Sequence, residues 1–397
     1  MTKKTDTPAV RFKGFSDTWE QRKLGELALF NPKDELPQTF EYVDLESVVG
    51  TEMLSHRTEV KSSAPSRAQR LANTGDLFYQ TVRPYQKNNY LFEKPDNNYV
   101  FSTGYAQMRP YVDGYFLLSL VQSERFVKVV LDNCTGTSYP AINANDLAEI
   151  EVAAPSDESE AQKIGAIFRS IDNLITLHQR KYEKLHNIKK SMLEKMFPKN
   201  GSNVPEIRFK GFTEAWEQRK VGEVSESYSG GTPSVGVKEY YGGQIPFIRS
   251  AEINSEITEL FLTEEGLKNS SARLVAVGDI LYALYGATSG EVGRARLKGA
   301  INQAILAIKP HTDYDSEYLA QWLRKSKHSI IETYLQGGQG NLSGTIVKEL
   351  SVDFPSLKEQ KAIGDFFRQL DNLITLHQRE LEKLQNIKKS MLEKMFV

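Results

Sequence analysis

A tandem repeat is the feature that most constrains how this 397-residue chain can fold. The words Arg-Phe-Lys-Gly-Phe at 11–15 and Trp-Glu-Gln-Arg-Lys at 19–23 return at 208–212 and 216–220. A longer block, residues 164–197, returns as residues 363–396 with 27 of 34 positions identical. Two blocks repeated at nearly the same spacing predict one fold used twice, each copy about 198 residues long.

The segments between these blocks differ, although a faint common frame persists. Residues 70–76 (Arg-Leu-Ala-Asn-Thr-Gly-Asp) align with 273–279 (Arg-Leu-Val-Ala-Val-Gly-Asp), and Arg109-Pro110 aligns with Lys309-Pro310. A nearly constant frame with divergent inserts indicates two different specificities carried by one shared assembly frame. Faster drift of the loops after a recent duplication is the alternative explanation.

The repeated block has the pattern of a long helix. Residues 158–197 contain no proline and a single glycine, Gly165, and apolar residues recur at steps of three and four. In the second copy this seam consists of Leu370, Ile374, His377, Leu381, Leu384, Met391 and Met395. A 3.5-residue period is typical of a coiled coil. At about 1.5 Å per residue the helix is a rod of roughly 50 Å, and we expect it to pair antiparallel with its own repeat.

The long helices carry more apolar residues than one helix pair requires, which favours a docking surface for a partner helix. The alternative is that these residues thicken the intramolecular seam. His178 and His377 occupy the same seam position and are interpreted as buried or interfacial, because two histidines are too few for a metal site. The predicted partner interface consists of Leu174, Leu185, Ile188, Met192, Met196, Leu373, Leu384, Ile387, Met391 and Met395.

Charge is distributed unevenly along the chain. The formal net charge of −1 gives no general attraction to nucleic acid. By segment, however, the repeated frame is basic (+3, +7 and +1 for residues 1–23, 161–220 and 359–397), whereas the inserts are acidic (−9 for 24–160, −3 for 221–358). A basic frame can contact phosphates while a few insert side chains read bases. This balance predicts weak DNA affinity for the chain alone.

Polar and cationic residues cluster at matching places in the two inserts. Arg, Gln, Asn, Ser and Thr are the side chains that read base edges in the major groove. For any single residue a solvated surface loop is the alternative, and for Arg70 and Arg273, which recur in both inserts, the alternative is a structural role. The candidate DNA contacts are Arg67, Gln80, Thr81, Arg83, Tyr85, Lys87, Ser138, Tyr139, Ser234, Arg249, Tyr285, Thr288, Ser289, Arg294, Arg296, Gln339 and Asn341.

The sequence contains no recognisable catalytic site. The word after Asn31-Pro32 is Lys-Asp rather than the Pro-Tyr of amino-methyltransferases, and Gly286-Ala-Thr-Ser-Gly290 lacks the Gly-Lys-Ser/Thr ending of a P-loop. Cys134 is the only cysteine, which excludes a disulfide framework and a thiolate metal site. We therefore expect a cytoplasmic protein without catalytic residues, bound metal or membrane span.

The chain resembles the specificity subunit of type I restriction-modification enzymes over essentially its whole length. The resemblance rests on the repeated openings, the twin Asp-Asn-Leu-Ile-Thr-Leu-His-Gln-Arg helices, and Gly136-Thr-Ser-Tyr-Pro140. It also rests on Gly231-Thr-Pro-Ser234, and on Tyr285-Gly-Ala-Thr288 with Ile301-Asn-Gln303. The first insert has Thr81-Val-Arg-Pro84 and no Gly-Thr-Pro-Ser entry, so its contacts cannot be inferred from the second.

This resemblance implies an α+β fold in which two mixed α/β target-recognition domains are joined by two long helices. The helices form an antiparallel coiled coil with an internal pseudo-twofold. The implied boundaries are 1–157 for the first domain (repeat word 8–26), 158–197 for the first helix, 198–356 for the second domain (repeat word 205–223) and 357–397 for the second helix.

The same resemblance implies a role in recognising DNA rather than in catalysis. Each domain would read one half of a bipartite, asymmetric double-stranded target, while the helices set the spacing and dock two methyltransferase subunits. Restriction/translocase subunits would join the full complex, and S-adenosylmethionine, ATP and Mg²⁺ would be used only by partner subunits. A non-enzymatic protein-interaction scaffold with two divergent binding domains is the alternative, and the acidic inserts favour it.

Overall fold

The protein is described from a computed structural model, which covers residues 7–136, 138–199, 202–335 and 341–396. The chain divides into two compact units, the first formed by residues 1–180 with 378–397 and the second by residues 181–377. Both long helices continue across this division, so each unit contains a part of each helix.

The insert of the first unit is built mainly from short strands. Alternation of buried and exposed residues, as in Thr39–Val43, is the pattern of strands with one face toward a core. Its elements are β1 (Glu20–Lys23), α1 (Leu24–Leu27), β2 (Ala28–Phe30), β3 (Thr39–Val43), β4 (Val48–Val49), β5 (Glu52–Met53), β6 (Arg57–Val60), β7 (Ala68–Leu71), β8 (Leu77–Gln80), β9 (Tyr90–Leu91), β10 (Tyr99–Ser102), β11 (Tyr105–Pro110), α2 (Gly114–Gln122), α3 (Glu124–Asp132), α4 (Ala144–Ala148) and β12 (Glu151–Ala154). The first long helix, α5 (Glu158–Lys195), follows.

The second unit repeats this plan with different loop lengths. Its elements are β13 (Glu217–Lys220), α6 (Val221–Val224), β14 (Ser225–Ser229), β15 (Tyr241–Ile248), β16 (Phe261–Leu262), α7 (Glu264–Lys268), β17 (Arg273–Val275), β18 (Ile280–Ala283), β19 (Val292–Arg294), β20 (Gly299–Ile301), β21 (Ile305–Pro310), α8 (Ser316–Leu335), α9 (Gly344–Glu349) and β22 (Ser351–Phe354). The second long helix, α10 (Leu357–Met395), follows.

The two units share a sheet topology. In the first, one four-stranded sheet has the order β6-β3-β10-β7 and the other β2-β11-β8-β9. The second has the corresponding orders β16-β15-β20-β17 and β14-β21-β18-β19. In each unit one strand pair is parallel, β3 with β10 and β15 with β20, in otherwise antiparallel sheets. The mixed α/β domains predicted from the sequence are therefore confirmed.

The repeated words form the base of each unit. Trp-Glu-Gln-Arg-Lys supplies a strand that pairs antiparallel with the strand preceding the long helix, Glu20 opposite Ala154 in the first unit and Glu217 opposite Phe354 in the second. The arginine of Arg-Phe-Lys-Gly-Phe forms an ion pair with a buried glutamate in the first turn of the long helix. The pairs are Arg11 with Glu160 and Arg208 with Glu359. The words are repeated because they tie the long helix to its domain.

The long helices run antiparallel within each unit. In the first, Phe396 at the end of α10 packs on Phe168 of α5, with ring centroids 5.8 Å apart. In the second, Phe197, just beyond α5, packs on Phe367 of α10 at 6.1 Å. Equivalent ion pairs cross the helix pair, Lys388–Asp172 at 2.6 Å and Lys189–Asp371 at 2.5 Å. The predicted pairing of each helix with its own repeat is thus confirmed.

No helix in the described part of the chain combines the length and apolar character needed to span a bilayer. Among the same residues, no three His, Cys, Asp or Glu side chains group as they would around a metal ion. His178 and His377 are half-buried on the long helices.

Candidate nucleic-acid interface

In the first unit, two separately predicted loops meet at the end of β8. The Arg83 backbone N–H donates to the Pro140 carbonyl at 2.8 Å, and Val82 forms an isolated antiparallel bridge with Ala141. The Arg83 guanidinium lies 4.6 Å from the centre of the Tyr139 ring, which is 64% exposed. A cation stacked on an exposed aromatic ring presents both hydrogen-bond donors and a flat apolar face to a nucleic acid.

Four further candidates of the first insert surround this pair or lie at the surface. Tyr85 is half-exposed in the same loop, and Arg67 and Ser138 are also exposed. Lys87 is less available, because its ammonium lies 2.7 Å from a Glu124 carboxylate oxygen.

Two candidates, Gln80 and Thr81, lie inside the domain rather than at its surface. Gln80 is 3% exposed, and its amide donates to the Val82 carbonyl and to Gln86 Oε1. The Thr81 hydroxyl donates to the Gly104 carbonyl at 2.8 Å. The expectation that these two side chains touch bases is therefore corrected, since in this conformation their hydrogen bonds shape the loop. Sequence alone could not distinguish them from exposed loop residues.

The second unit places a pair of loops at the equivalent position. The Leu342 N–H donates to the Leu284 carbonyl at 3.0 Å, just as Ile142 N–H donates to the Thr81 carbonyl at 3.0 Å in the first unit. Exposed Asn341 therefore adjoins the Tyr285–Ser289 loop. Gln339 lies outside the described residues.

Within that second-unit loop, the side chains divide between packing and partial exposure. Tyr285 packs partly against the core. Thr288 and Ser289 are half-buried, and the Ser289 hydroxyl donates to the Leu284 carbonyl at 3.1 Å.

Carboxylates already engage two of the predicted arginines of the second insert. Arg249 Nη2 lies 3.0 Å from Glu252 and 2.6 Å from Glu259, and these hydrogen bonds raise the pKa of Arg249. Arg294 donates to the Ser316 hydroxyl and lies 3.9 Å from Glu317. Burial lowers the pKa of the Arg294 guanidinium. Both arginines must exchange these partners before they can contact DNA, whereas Arg296 and Ser234 are exposed.

The contacts that support the first-unit loop were not predicted from the sequence. Asn88 Oδ1 accepts from the Gly50 N–H at 2.8 Å, and the Asn89 N–H donates to the Gly50 carbonyl at 2.9 Å. Gly50 is the tip of the β4–β5 hairpin and has a φ of 62°. The hairpin signal was a glycine between short apolar stretches, but nothing local indicated which loop it would brace.

On the long helices, the predicted partner interface splits into buried and exposed sets. Met196 and Met395 are 3% and 2% exposed and belong to the two cores, so the expectation that they face a partner is corrected. Met192, Leu185 and Ile188 pack partly against the core of the second unit, and Met391 against that of the first. Leu384 is half-buried.

The accessible apolar residues of the predicted interface are Leu174 at 43%, Leu373 at 44% and Ile387 at 40% exposed. Leu177 and Leu376, one turn along from Leu174 and Leu373, are exposed as well and were missed, although the repeated Leu-Ile-Thr-Leu word contained them.

Comparison with known proteins agrees with this architecture. The family model for the type I restriction modification DNA specificity domain matches residues 16–187 and again 213–386. The chain belongs to this family. It is a type I restriction-modification specificity subunit with two DNA specificity domains, as the sequence predicts.

The relatives align with this chain over different shares of its length. The MjaIX specificity subunit of Methanocaldococcus jannaschii is 30% identical over 190 residues, an alignment covering 46% of this chain and only 44% of that protein. The HindI specificity subunit of Haemophilus influenzae is 21% identical, with 84% of this chain and 89% of that one aligned.

A solved structure shares the fold. The type I restriction-modification S subunit from M. genitalium superposes with a TM-score of 0.72 at 15% identity, covering 98% of this chain and 99% of that chain. A chain from a structural study of complex assembly and conformational transition in a type I R-M system gives 0.51 at 22% identity, with 95% and 97% covered.

Proposed function

We propose that each specificity domain reads one half of a bipartite, asymmetric sequence in double-stranded DNA, and that the long helices hold the two domains at a fixed separation. The observation that carries this proposal is the pair of loops at equivalent points of one repeated frame. Arg83 and Tyr139 occupy the site in the first domain, whereas Tyr285 and Asn341 occupy it in the second. Different side chains on the same backbone frame suit two different base sequences.

Exchange of one insert tests this division of labour. Residues 24–157 are replaced by the corresponding insert of another specificity subunit, and methylated adenines are mapped in a host that also expresses the methyltransferase. We expect one half of the target to change while the other half and the spacer stay the same. A target that changes in both halves, or in neither, contradicts the two-reader proposal.

The further components are proposed to be separate proteins. Two methyltransferase subunits would dock on the long helices, and restriction/translocase subunits would join the complete assembly. S-adenosylmethionine, ATP and Mg²⁺ would be bound by those subunits in the cytoplasm, and this chain would supply no catalytic group. Exposed leucines on the long helices support the docking surface, because apolar residues in contiguous exposed groups are typical of interaction sites.

The docking surface is tested with the exposed leucines rather than the buried methionines. The double variant Leu174→Asp/Leu177→Asp replaces the apolar stripe with two charges. We expect its complex to lack one methyltransferase subunit, and size-exclusion chromatography with light scattering measures the mass of the complex. Asn187→Asp, an exposed change on the same helix, is the control and should retain the complex. Full assembly by the double variant would exclude this surface.

A further inference from the structure

The turn that carries Arg83 has an unusual backbone. Arg83 and Lys87 have φ angles of 54° and 55°, in the left-handed region that residues with side chains rarely adopt. Such conformations persist only where the surroundings fix them, and they cluster at functional sites. The cause that fixes this turn should therefore be visible among its contacts.

Gln80 bridges the turn from within. Its side-chain amide donates to the Val82 carbonyl at 2.5 Å and to Gln86 Oε1 at 2.9 Å, so one buried group holds both ends of the turn. The backbone N–H of Gln80 donates to Asn89 Oδ1 at 2.9 Å. The Gln80 amide therefore links the start and the end of the strained turn through hydrogen bonds.

Other contacts position the turn, but they do not replace the hydrogen bonds of the Gln80 amide. Asn88 and Asn89 hydrogen-bond to Gly50, and Gln122 donates to the Lys87 carbonyl at 3.0 Å, all at the Lys87 end of the turn. At the other end, the Arg83 backbone N–H donates to the Pro140 carbonyl at 2.8 Å. A cavity of about 340 Å³ adjoins Val82 and Arg83. The turn has room to relax into this space if the amide is lost.

In the second domain, the turn that follows β18 has no side-chain amide at the position equivalent to Gln80. The residue at the end of β18, equivalent to Gln80 at the end of β8, is Ala283. Positive φ angles in the loop that follows fall on Gly286 and Gly290, at 84° and 78°. Glycine adopts these angles without steric cost. Among the residues that the structure describes, only the first domain uses residues with side chains in this conformation, and there a buried glutamine braces the turn.

We propose that Gln80 is a positioning residue for DNA recognition by the first domain. Its amide holds the strained turn so that Arg83 is presented against Tyr139 as one reading surface. Gln80 itself touches no base. The inference rests on the proposed function, because it assigns a role within the same reading site.

The test compares Gln80→Met, which keeps the side-chain volume and removes the amide, with Gln38→Met, an exposed glutamine of the same unit. Each variant is assembled with its methyltransferase subunits. Binding is measured to the cognate duplex and to duplexes with one substituted base pair in either half. We expect Gln80→Met to reduce discrimination in the first half about tenfold, the scale of one good base contact. Discrimination in the second half should stay at the wild-type level, and Gln38→Met should match wild type in both.

A second variant keeps the test decisive if Gln80→Met does not fold. Gln86→Met removes one acceptor of the amide at an exposed position, and we expect a smaller loss, about threefold, confined to the first half. Equal weakening of all duplexes with discrimination retained would mean that Gln80 is only structural and would overturn the inference. Lack of discrimination by the wild-type complex in the first half would instead refute the proposed function.

Discussion

At the scale of single residues, each unit has an equivalent ion pair to a buried glutamate, and one tryptophan hydrogen bond distinguishes the two units. The side chain of Glu160 is 1% exposed. Its carboxylate accepts hydrogen bonds from two nitrogens of Arg11, at 2.5 and 2.8 Å, and from the Trp19 indole N–H at 3.2 Å. The Glu359 carboxylate accepts two hydrogen bonds from Arg208, both at 2.7 Å. Trp216, the counterpart of Trp19, has a buried indole N–H without a partner among the described residues.

Removing either carboxylate should destabilise its unit, because a mostly buried guanidinium is left unpaired. We expect Glu160→Ala and Glu359→Ala to lower the free energy of unfolding by about 3 kcal/mol. Glu160→Ala should cost about 1 kcal/mol more, since it also leaves the Trp19 N–H unsatisfied. Urea denaturation followed by tryptophan fluorescence measures both values.

The control for these two variants is Glu194→Ala, an exposed carboxylate on the first long helix. It should stay within about 0.5 kcal/mol of the original chain. If Glu160→Ala were as mild as Glu194→Ala, the anchoring role of the Arg-Phe-Lys-Gly-Phe word would be wrong.

At the scale of elements, a glycine in each long helix allows a close crossing. A Cβ on Gly165 would overlap the Asp113 carboxylate, and one on Gly364 would lie 2.6 Å from Asp315 Oδ1. Both aspartates cap a helix of their domain, accepting from Phe116 N–H and Tyr318 N–H at 2.8 Å. Each long helix therefore passes directly over the start of α2 or α8.

We expect Gly165→Ala to destabilise the first unit by about 1 to 3 kcal/mol, although alanine usually stabilises a helix, because the methyl group must displace the cap. Ser170→Ala, at an exposed position one turn further along α5, is the control and should be nearly neutral. Thermal unfolding of both variants gives the comparison. A stabilised Gly165→Ala would show that the helix does not approach the cap this closely.

The ion pairs across the helices provide a second element-scale prediction. Asp172 and Lys388 are mostly buried, so reversing only Asp172 to Lys should cost about 2 kcal/mol through charge repulsion. Adding Lys388→Asp restores an ion pair with the opposite polarity, and we expect most of the lost stability to return. A double-mutant cycle by chemical denaturation measures the coupling. Additive losses would contradict the antiparallel contact.

The elements were more predictable from sequence than their surroundings. The 3.5-residue period predicted both long helices, because that pattern is local and repeated. Their antiparallel pairing was predicted from the duplication, since the chain must return after the first helix to begin the second copy. The same pattern could not place Met196 and Met395, since burial at the helix ends depends on where each domain core meets the helix. Gln80 and Thr81 were misplaced for a similar reason, because the sequence of a polar loop does not reveal which side chains turn inward.

At the scale of the whole molecule, one junction occurs twice. The Ile207 N–H donates to the Lys195 carbonyl at 2.9 Å, where the first long helix leads into the second insert. The Val10 N–H donates to the Lys394 carbonyl at 3.0 Å, where the second long helix meets the first repeat word. The first junction lies within the chain and the second joins its two end regions, so the repeated frame has a nearly cyclic connectivity.

This connectivity predicts that the chain tolerates circular permutation. Joining residue 397 directly to residue 1 leaves 12 residues between Lys394 and Val10, against 11 between Lys195 and Ile207, so no added linker is needed. With new ends between residues 200 and 201, we expect the permuted protein to bind the same DNA sequence, with a melting temperature within a few degrees of the original. Domain contacts and helix pairs are all retained in this permutant.

A permutant opened between residues 183 and 184 is the matched control, because the same bond joins the old ends while the new ends interrupt α5. We expect it to lose the defined spacing between the two half-targets, since the first long helix is no longer continuous. Methylated-adenine mapping with both permutants gives the comparison. Loss of recognition by the 200/201 permutant would show that the two junctions are not equivalent. A preserved spacer in the 183/184 permutant would show that continuity of α5 does not set the spacing.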